Sequence, residues 1–277
     1  MPQVKTIRGL ERGLQVLKAM HGLPIASLHE LYLATRISKP SLLRILATLE
    51  YAGLVSRRLA DGRYRISGNF DRISNRRDQY DRVAEAAAPV LDRLCHKVKW
   101  PSDLFVPAGR YMERRETSRP CSPFALPSNV AGVGQRVGWL MTGVGRAYLA
   151  FCPDKERQRI LDALSRSNHP DDHLVHAPKQ LERILAETRE RGYGIRDAGF
   201  AGGGYGQAPF DDGLAAIVVP LCDGARVHGS INILWIRTAF TIEQFAAHYL
   251  QDLQRAAAEI VTSLRSHASN RRRAKDQ

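Results

Sequence analysis

The stretch between residues 6 and 66 constrains the fold most, because three short helical patterns are followed at once by a tight hairpin. Ile7, Leu10, Leu14 and Leu17 recur at three- and four-residue steps and predict a first helix from about Thr6 to Met20. His21-Gly22-Leu23-Pro24 stops it. Ser27 is placed to cap a second helix, with Glu30 completing a capping box and Leu28 and Leu31 on the buried side. Thr35-Arg36-Ile37 leaves room only for a tight turn. Ser38 then caps a third helix, which tolerates Pro40 in its first turn, carries Leu42, Ile45, Leu46 and Leu49 as one stripe, and ends at Gly53. Two short alternating segments, 54–59 and 63–66, flank Ala60-Asp61-Gly62, a strong hairpin signal. Three helices and a hairpin in this order make a winged helix-turn-helix over residues 1–68.

The rest of the chain reads as α+β. Residues from about Phe70 to Lys97 are helical in pattern, with Val83, Val90, Leu91 and Leu94 apolar, and Pro89 is expected to kink or split them. We assign 69–97 as a linker helix and 98–266 as a second domain. Its expected elements are strands at 103–106 and 111–116, a helix opening at Gly143, and a helix over 181–191 ended by Gly192. Two β-rich runs, 214–221 and 227–235, are joined by Asp223-Gly224. Thr241 and Gln244 form another capping box, opening a final helix to about Leu264. The domain is thus an antiparallel sheet flanked by helices, followed by a basic disordered tail over 267–277.

Charge divides the chain the same way. Of the formal +13, residues 1–82 carry a net +8, the long middle only +2, and 266–277 carry +3. A basic small domain on a near-neutral large one fits a phosphate-binding module joined to something else. Four scattered cysteines offer neither metal-ligand spacing nor a disulfide framework, which fits a reduced cytoplasmic compartment. No apolar run is long enough for a membrane span, and the first residues carry no secretory signal.

On the third helix, the face opposite the leucine stripe carries Ser41, Arg44, Thr48 and Tyr51, with Lys39 in the first turn. That division suits a helix lying in the major groove. Arg44 can contact guanine or phosphate, and Lys39 and Ser41 suit the backbone. Arg57, Arg58, Arg63 and Arg65 flank the wing turn and suit phosphates or the adjacent minor groove.

Here a resemblance becomes specific. Residues 6–14, 38–49 and 62–66, then 142–150, 191–194 and 216–221, are similar to the IclR family of bacterial regulators. Within it, residues 4–14, Trp100-Pro101-Ser102-Asp103 and Arg115-Glu116-Thr117 resemble MhpR-type activators of phenylpropionate catabolism. The resemblance implies a dimer or tetramer on double-stranded operator DNA, contact with RNA polymerase, no cofactor, no metal, and a GAF-like domain that binds a small organic acid. The implied effector positions are Gly143 and Val144 at a helix start, Leu214, Ala216, Asn232 and Leu234 on the two late strands, and Arg196 or Asp197 after the Gly-Tyr turn. Family members often carry an acid after that turn and two serines on the last strand. Arg196, Asn232 and Leu234 depart from this, which disfavours glyoxylate-type ligands and favours a larger, aromatic acid. Arg196 either grips the carboxylate or pairs with Asp197 or Asp211.

Other readings are a repressor answering a non-aromatic acid, an architectural DNA protein, and an enzyme carrying a helix-turn-helix. For the last, Cys152 and the isolated His169, His173 and His176 are the only candidates; His169 and His173 have metal-ligand spacing, but Pro170 and the nearby Asp residues suggest a loop there. The glycine-rich loop 202–206 lacks the helix start and Lys-Ser/Thr that a phosphate cradle needs.

Overall fold

The computed structural model describes residues 6–23, 25–58, 61–67, 80–124, 132–200, 202–207 and 210–273. It divides into two compact units, residues 1–77 with 270–277, and residues 78–269.

In the first unit, α1 (Arg8–Gly22), β1 (Ile25–Ala26), α2 (Leu28–Thr35), α3 (Lys39–Tyr51), β2 (Val55–Arg57) and β3 (Tyr64–Ile66) follow in order. The Ser27 capping box is present, with the Ser27 hydroxyl accepting from Glu30 N–H and the Glu30 carboxylate accepting from Ser27 N–H. Gly53 follows α3 at φ 70°, and Gly62 turns the hairpin at φ 67°. The sheet order is β1-β3-β2, because Ile25 and Ala26 pair with Arg65 and Tyr64. The two-residue β1 is too short to leave a periodic signal, so sequence reasoning missed it.

The first helix is present as expected, while its burial is set by packing and the expected Ser38 cap is not made. Ile7, Leu10 and Leu14 set the helical period of the first helix, yet they stay 50 to 70% exposed. Val16 and Met20 are the residues of α1 buried against Leu31, Leu42 and Leu46. Ser38 makes no side-chain cap to α3; its hydroxyl donates to the Ser41 hydroxyl at 3.0 Å instead.

The second unit is a five-stranded antiparallel sheet between two helical layers. Its elements are α4 (Asp81–Val98), β4 (Asp103–Ala108), β5 (Tyr111–Thr117), β6 (Arg136–Val137), α5 (Gly143–Phe151), α6 (Asp154–Leu164), α7 (Pro178–Arg191), β7 (Leu214–Asp223), β8 (Arg226–Ile236) and α8 (Ile242–Arg273). Short 3-10 turns lie at Arg119–Cys121 and Pro170–His176. The strand order is β6-β5-β4-β8-β7. Strand alternation splits the core: Ile217, Val219, Ile231 and Trp235 pack with α4 and α8, while Ala216, Val218 and Leu234 pack with α5 and α7.

Pro89 neither splits nor ends its helix. The segment Asp81–Val98 is continuous, and Val83, Ala87, Val90, Leu91 and Leu94 form one buried face on the sheet. That burial outweighs the one backbone hydrogen bond proline removes. This helix therefore belongs to the second unit; the earlier part of the expected linker, 69–79, lies outside the described residues. The last helix runs to Arg273, past the expected start of a disordered tail at 267, because Ala-, Ser- and Arg-rich sequence contains no breaker. Residues 274–277 lie outside the described residues.

Candidate functional site

The first unit presents one polar helix face beside a wing. Leu42, Leu46 and Leu49 are buried, which turns Lys39, Arg44 and Thr48 outward and leaves Ser41 half-buried. Thr48 donates its hydroxyl proton to the Arg44 carbonyl at 2.9 Å, leaving the guanidinium of Arg44 at the surface. A groove of about 540 Å³ runs between this face and α1, lined by Leu10, Leu14, Leu17, Ser41, Arg44 and Thr48 among others.

The four wing arginines are not equivalent. Arg57 donates to Gly62 O at 3.1 Å and lies over the Tyr64 ring, so it closes the turn. Arg58 pairs with Asp61 at 3.4 Å, and Arg65 donates to the Ser56 hydroxyl at 3.2 Å. Arg63 reaches back to the Glu30 carboxylate at 3.1 Å, tying the wing to the start of α2. The hydrogen bonds from Ser27, with the nearby Arg63 charge, hold Glu30 below its ordinary carboxylate range. Arg63 is thus tied to Glu30 while its side chain stays 41% exposed.

The second unit holds a small cavity of about 50 Å³ at the start of α5. All seven effector positions named from sequence line it: Gly143, Val144, Arg196, Leu214, Ala216, Asn232 and Leu234. The helix start is tightly built. Thr142 accepts from Gly145 N–H at 3.3 Å and donates to Gly138 O at 2.6 Å. A Cβ on Gly145 would fall 2.1 Å from Trp139 O, so only glycine lets α5 approach this closely.

Two of the seven have other duties. Arg196 is not free to grip a ligand with its fork, and neither Asp197 nor Asp211 is its partner. It binds Asp212 bidentately at 2.8 and 3.2 Å, because the Asp212 side chain is only 7% exposed and needs a cation beside it. Asp197 pairs with Arg146, and Asp211 with Arg237. The Asn232 carbonyl accepts from Asp103 N–H at 2.8 Å, so it fixes the start of β4.

Sequence reasoning missed the charged floor of this cavity. Asp103, fully buried, receives Thr117 Oγ1 at 2.6 Å and Arg119 at 3.2 and 3.4 Å, and lies 3.3 Å from Arg114 Nε. The Arg114 guanidinium stacks 5.3 Å from the Phe105 ring centre, and burial draws its pKa down to about 10. Gln135, whose carbonyl pairs with Arg114 N–H, completes that wall. The signal was available: period-two alternation through Met112 puts Arg114 on the inward face of β5.

The enzyme candidates disperse. Cys152 is buried, and desolvation pushes its thiol up to about 12, far from a reactive thiolate. His169 stacks on Tyr205 and accepts from Gly206 N–H, while His173 bonds the Pro170 carbonyl, in a 3-10 turn rather than the loop expected. Gly202, Gly203 and Gly204 are buried, and Gly203 lines the cavity. Among the described residues no group of His, Cys, Asp or Glu has metal-ligand geometry, and no helix is long and apolar enough to cross a membrane.

A winged helix-turn-helix joined to a helix-flanked sheet domain is the build of a DNA-binding transcription regulator, and the comparisons with known proteins fix its family. The model of the bacterial transcriptional regulator IclR C-terminal domain matches residues 79–262, and that of the IclR helix-turn-helix domain matches 9–59. The chain belongs to the IclR family of transcriptional regulators, which are not enzymes. It is 28% identical over 254 residues to the probable transcriptional regulator SauR of Cupriavidus necator, covering 90% of this chain and 93% of that one. Among solved structures it is similar to the IclR protein of Thermotoga maritima, at 20% identity and TM-score 0.53, covering 92% of this chain and 98% of that one. It is equally similar to an IclR homologue of Microbacterium hydrocarbonoxydans, at 20% identity and TM-score 0.52, covering 93% and 99%. These comparisons reach the family and not the MhpR-type subgroup.

Proposed function

We propose that the chain is a ligand-responsive regulator that binds operator DNA through α3 and the wing and a small organic acid in the cavity at the start of α5. The observation that carries this is the cavity itself, where all seven expected effector positions, Arg196 among them, meet beside Arg114 and Arg119. A carboxylate brought into so buried a site needs cations or N–H donors to offset its lost hydration. The first-turn N–H groups of α5 and the arginines are both at hand.

An aromatic acid is the first candidate. Phe105, Val137, Leu214, Ala216 and Leu234 give an apolar wall, and the Microbacterium hydrocarbonoxydans protein was crystallised with 4-hydroxybenzoate. A cavity of about 50 Å³ has room for only a few waters, so a ring requires Phe200 and the loop at Gly203 to move outward. The small volume supports a second reading, a compact non-aromatic acid that fits without rearrangement.

The regulator acts as a dimer or a dimer of dimers in the cytoplasm. One winged helix covers a single half-site, and the exposed Ile7, Leu10 and Leu14 give α1 an apolar side suited to self-association. Activation of an aromatic-compound operon, through RNA polymerase, follows the MhpR-like segments. Footprinting of the full chain on its own promoter region, with and without 4-hydroxybenzoate, tests the reading, together with a reporter for the sign. Two protected half-sites and a ligand-dependent reporter output are expected. A single tight half-site bound by a monomer, indifferent to any organic acid, contradicts it.

A further inference from the structure

We infer that the cavity selects a hydroxy acid, with Arg119 holding the carboxylate and Gln135 accepting a hydrogen bond from the hydroxyl. The inference rests on reading this cavity as the effector site.

Charge is the first ground. Three guanidiniums line the cavity, from Arg114, Arg119 and Arg196, against two carboxylates, from Asp103 and Asp212. Arg196 and Asp212 neutralise each other bidentately. Asp103 lies beside both Arg114 and Arg119, whose side chains are 3 and 9% exposed. Two guanidiniums therefore meet at one buried carboxylate, a wall whose field favours an anion in the cavity.

Hydrogen bonding is the second ground, and it is independent of the first. Arg119 gives Nε and Nη2 to Asp103, while its buried Nη1 has no partner. The Gln135 Oε1 is also buried without a partner. Buried polar atoms are nearly always satisfied, so these atoms, on residues that line one cavity, mark what its occupant supplies. A donor orphan on an arginine calls for an acceptor carrying negative charge, and an acceptor orphan calls for an O–H or N–H. A carboxylate and a hydroxyl on one small molecule meet both. A simple carboxylic acid meets only the first.

The test is calorimetry on the full chain with two matched pairs, propionate against lactate and benzoate against 4-hydroxybenzoate. The pairs separate an aliphatic from an aromatic ligand. In at least one pair the hydroxy acid binds on the order of tenfold tighter. Gln135→Leu erases that preference and leaves the plain acid within about twofold of wild type. Arg119→Gln weakens both members on the order of 30-fold, as expected for a lost charge-assisted bond. Without ligand, the denaturant midpoint of Arg119→Gln is read beside the affinities, so that a loss of binding is not mistaken for a loss of the fold. Should that variant fail to fold, Gln135→Leu decides alone. Equal affinities within both pairs overturn the inference, as does unchanged acid binding in Arg119→Gln. If Val144→Trp abolishes acid binding while Arg119→Gln does not, the cavity reading stands and the hydroxy-acid inference falls. If none of the four acids binds wild type, both fall together.

Discussion

The arginines of the wing and those of the cavity are similar in number and opposite in physics. On the wing, Arg58 and Arg63 pair with Asp61 and Glu30 while staying 35 and 41% exposed, and Arg65 leans on a serine hydroxyl. Water competes for every one of those bonds, so each is weak and can be exchanged for a phosphate. In the cavity, Asp103 is fully buried between Arg114 and Arg119, where water does not compete for it. In the proposed reading, the same residue type serves a surface that lets go and re-forms on DNA, and a wall that attracts an anion.

The sharpest way to break this contrast is to remove the buried carboxylate. Asp103→Ala removes the carboxylate that both guanidiniums meet, and also strands Thr117 Oγ1. We expect a loss of about 3–5 kcal/mol in unfolding free energy by denaturant titration. A loss comparable to that of a surface pair, below about 1 kcal/mol, would mean that the floor is far wetter than its burial implies.

The DNA side gives the next effect. Arg44→Ala removes an exposed guanidinium and is expected to cost about 1–3 kcal/mol of specific operator affinity. Arg65→Ala, by contrast, should weaken all sequences alike and lower the salt slope by about one unit. Arg63→Ala, tied to Glu30, should change DNA affinity less than Arg65→Ala. Equal footprints and affinities for wild type and Arg44→Ala would remove α3 from the role of reader; a salt slope lowered most by Arg63→Ala would free that side chain from Glu30.

Sequence and structure agree where local signals suffice. The Ser27 and Thr241 capping boxes, the turns at Gly62 and Gly224, and the helix beginning at Gly143 are each specified within a few residues. Disagreement begins where the decision is tertiary. Nothing local tells Leu10 that it stays exposed while Val16 is buried, since both fit a helical period and only the packing of α2 and α3 chooses. Arg196 has the same difficulty. Its chain neighbour Asp197 and the more distant Asp211 are equally plausible partners in sequence, yet Arg146 and Arg237 occupy them and Asp212 remains. The charged floor of the cavity escaped because Asp103, Arg114 and Arg119 come from a strand start, a strand interior and a 3-10 turn, which meet only through the β4–β5 register.

The smallest effect is expected at Glu30, where the exposed limit of the comparison can be read through pH. Hydrogen bonds from Ser27, and then the charge of Arg63, lower the Glu30 pKa from 4.5. A carboxylate with a lowered folded-state pKa stabilises the fold fully above its unfolded value and loses that contribution as pH falls through the folded value. The window therefore opens at about 4.5 and extends downward. Glu30→Gln keeps an acceptor for Ser27 N–H but loses the charge facing Arg63. Its melting temperature should lie slightly below that of wild type at pH 7, and the gap should close as the pH is lowered past 4.5. High salt should shrink the same gap at pH 7, because both partners stand in water. A gap that stays constant across this range would show that the cap works through geometry alone and that the Arg63 charge adds nothing. The wing would then be held to α2 by neutral hydrogen bonds, and Arg63 would be as free for phosphate as Arg65.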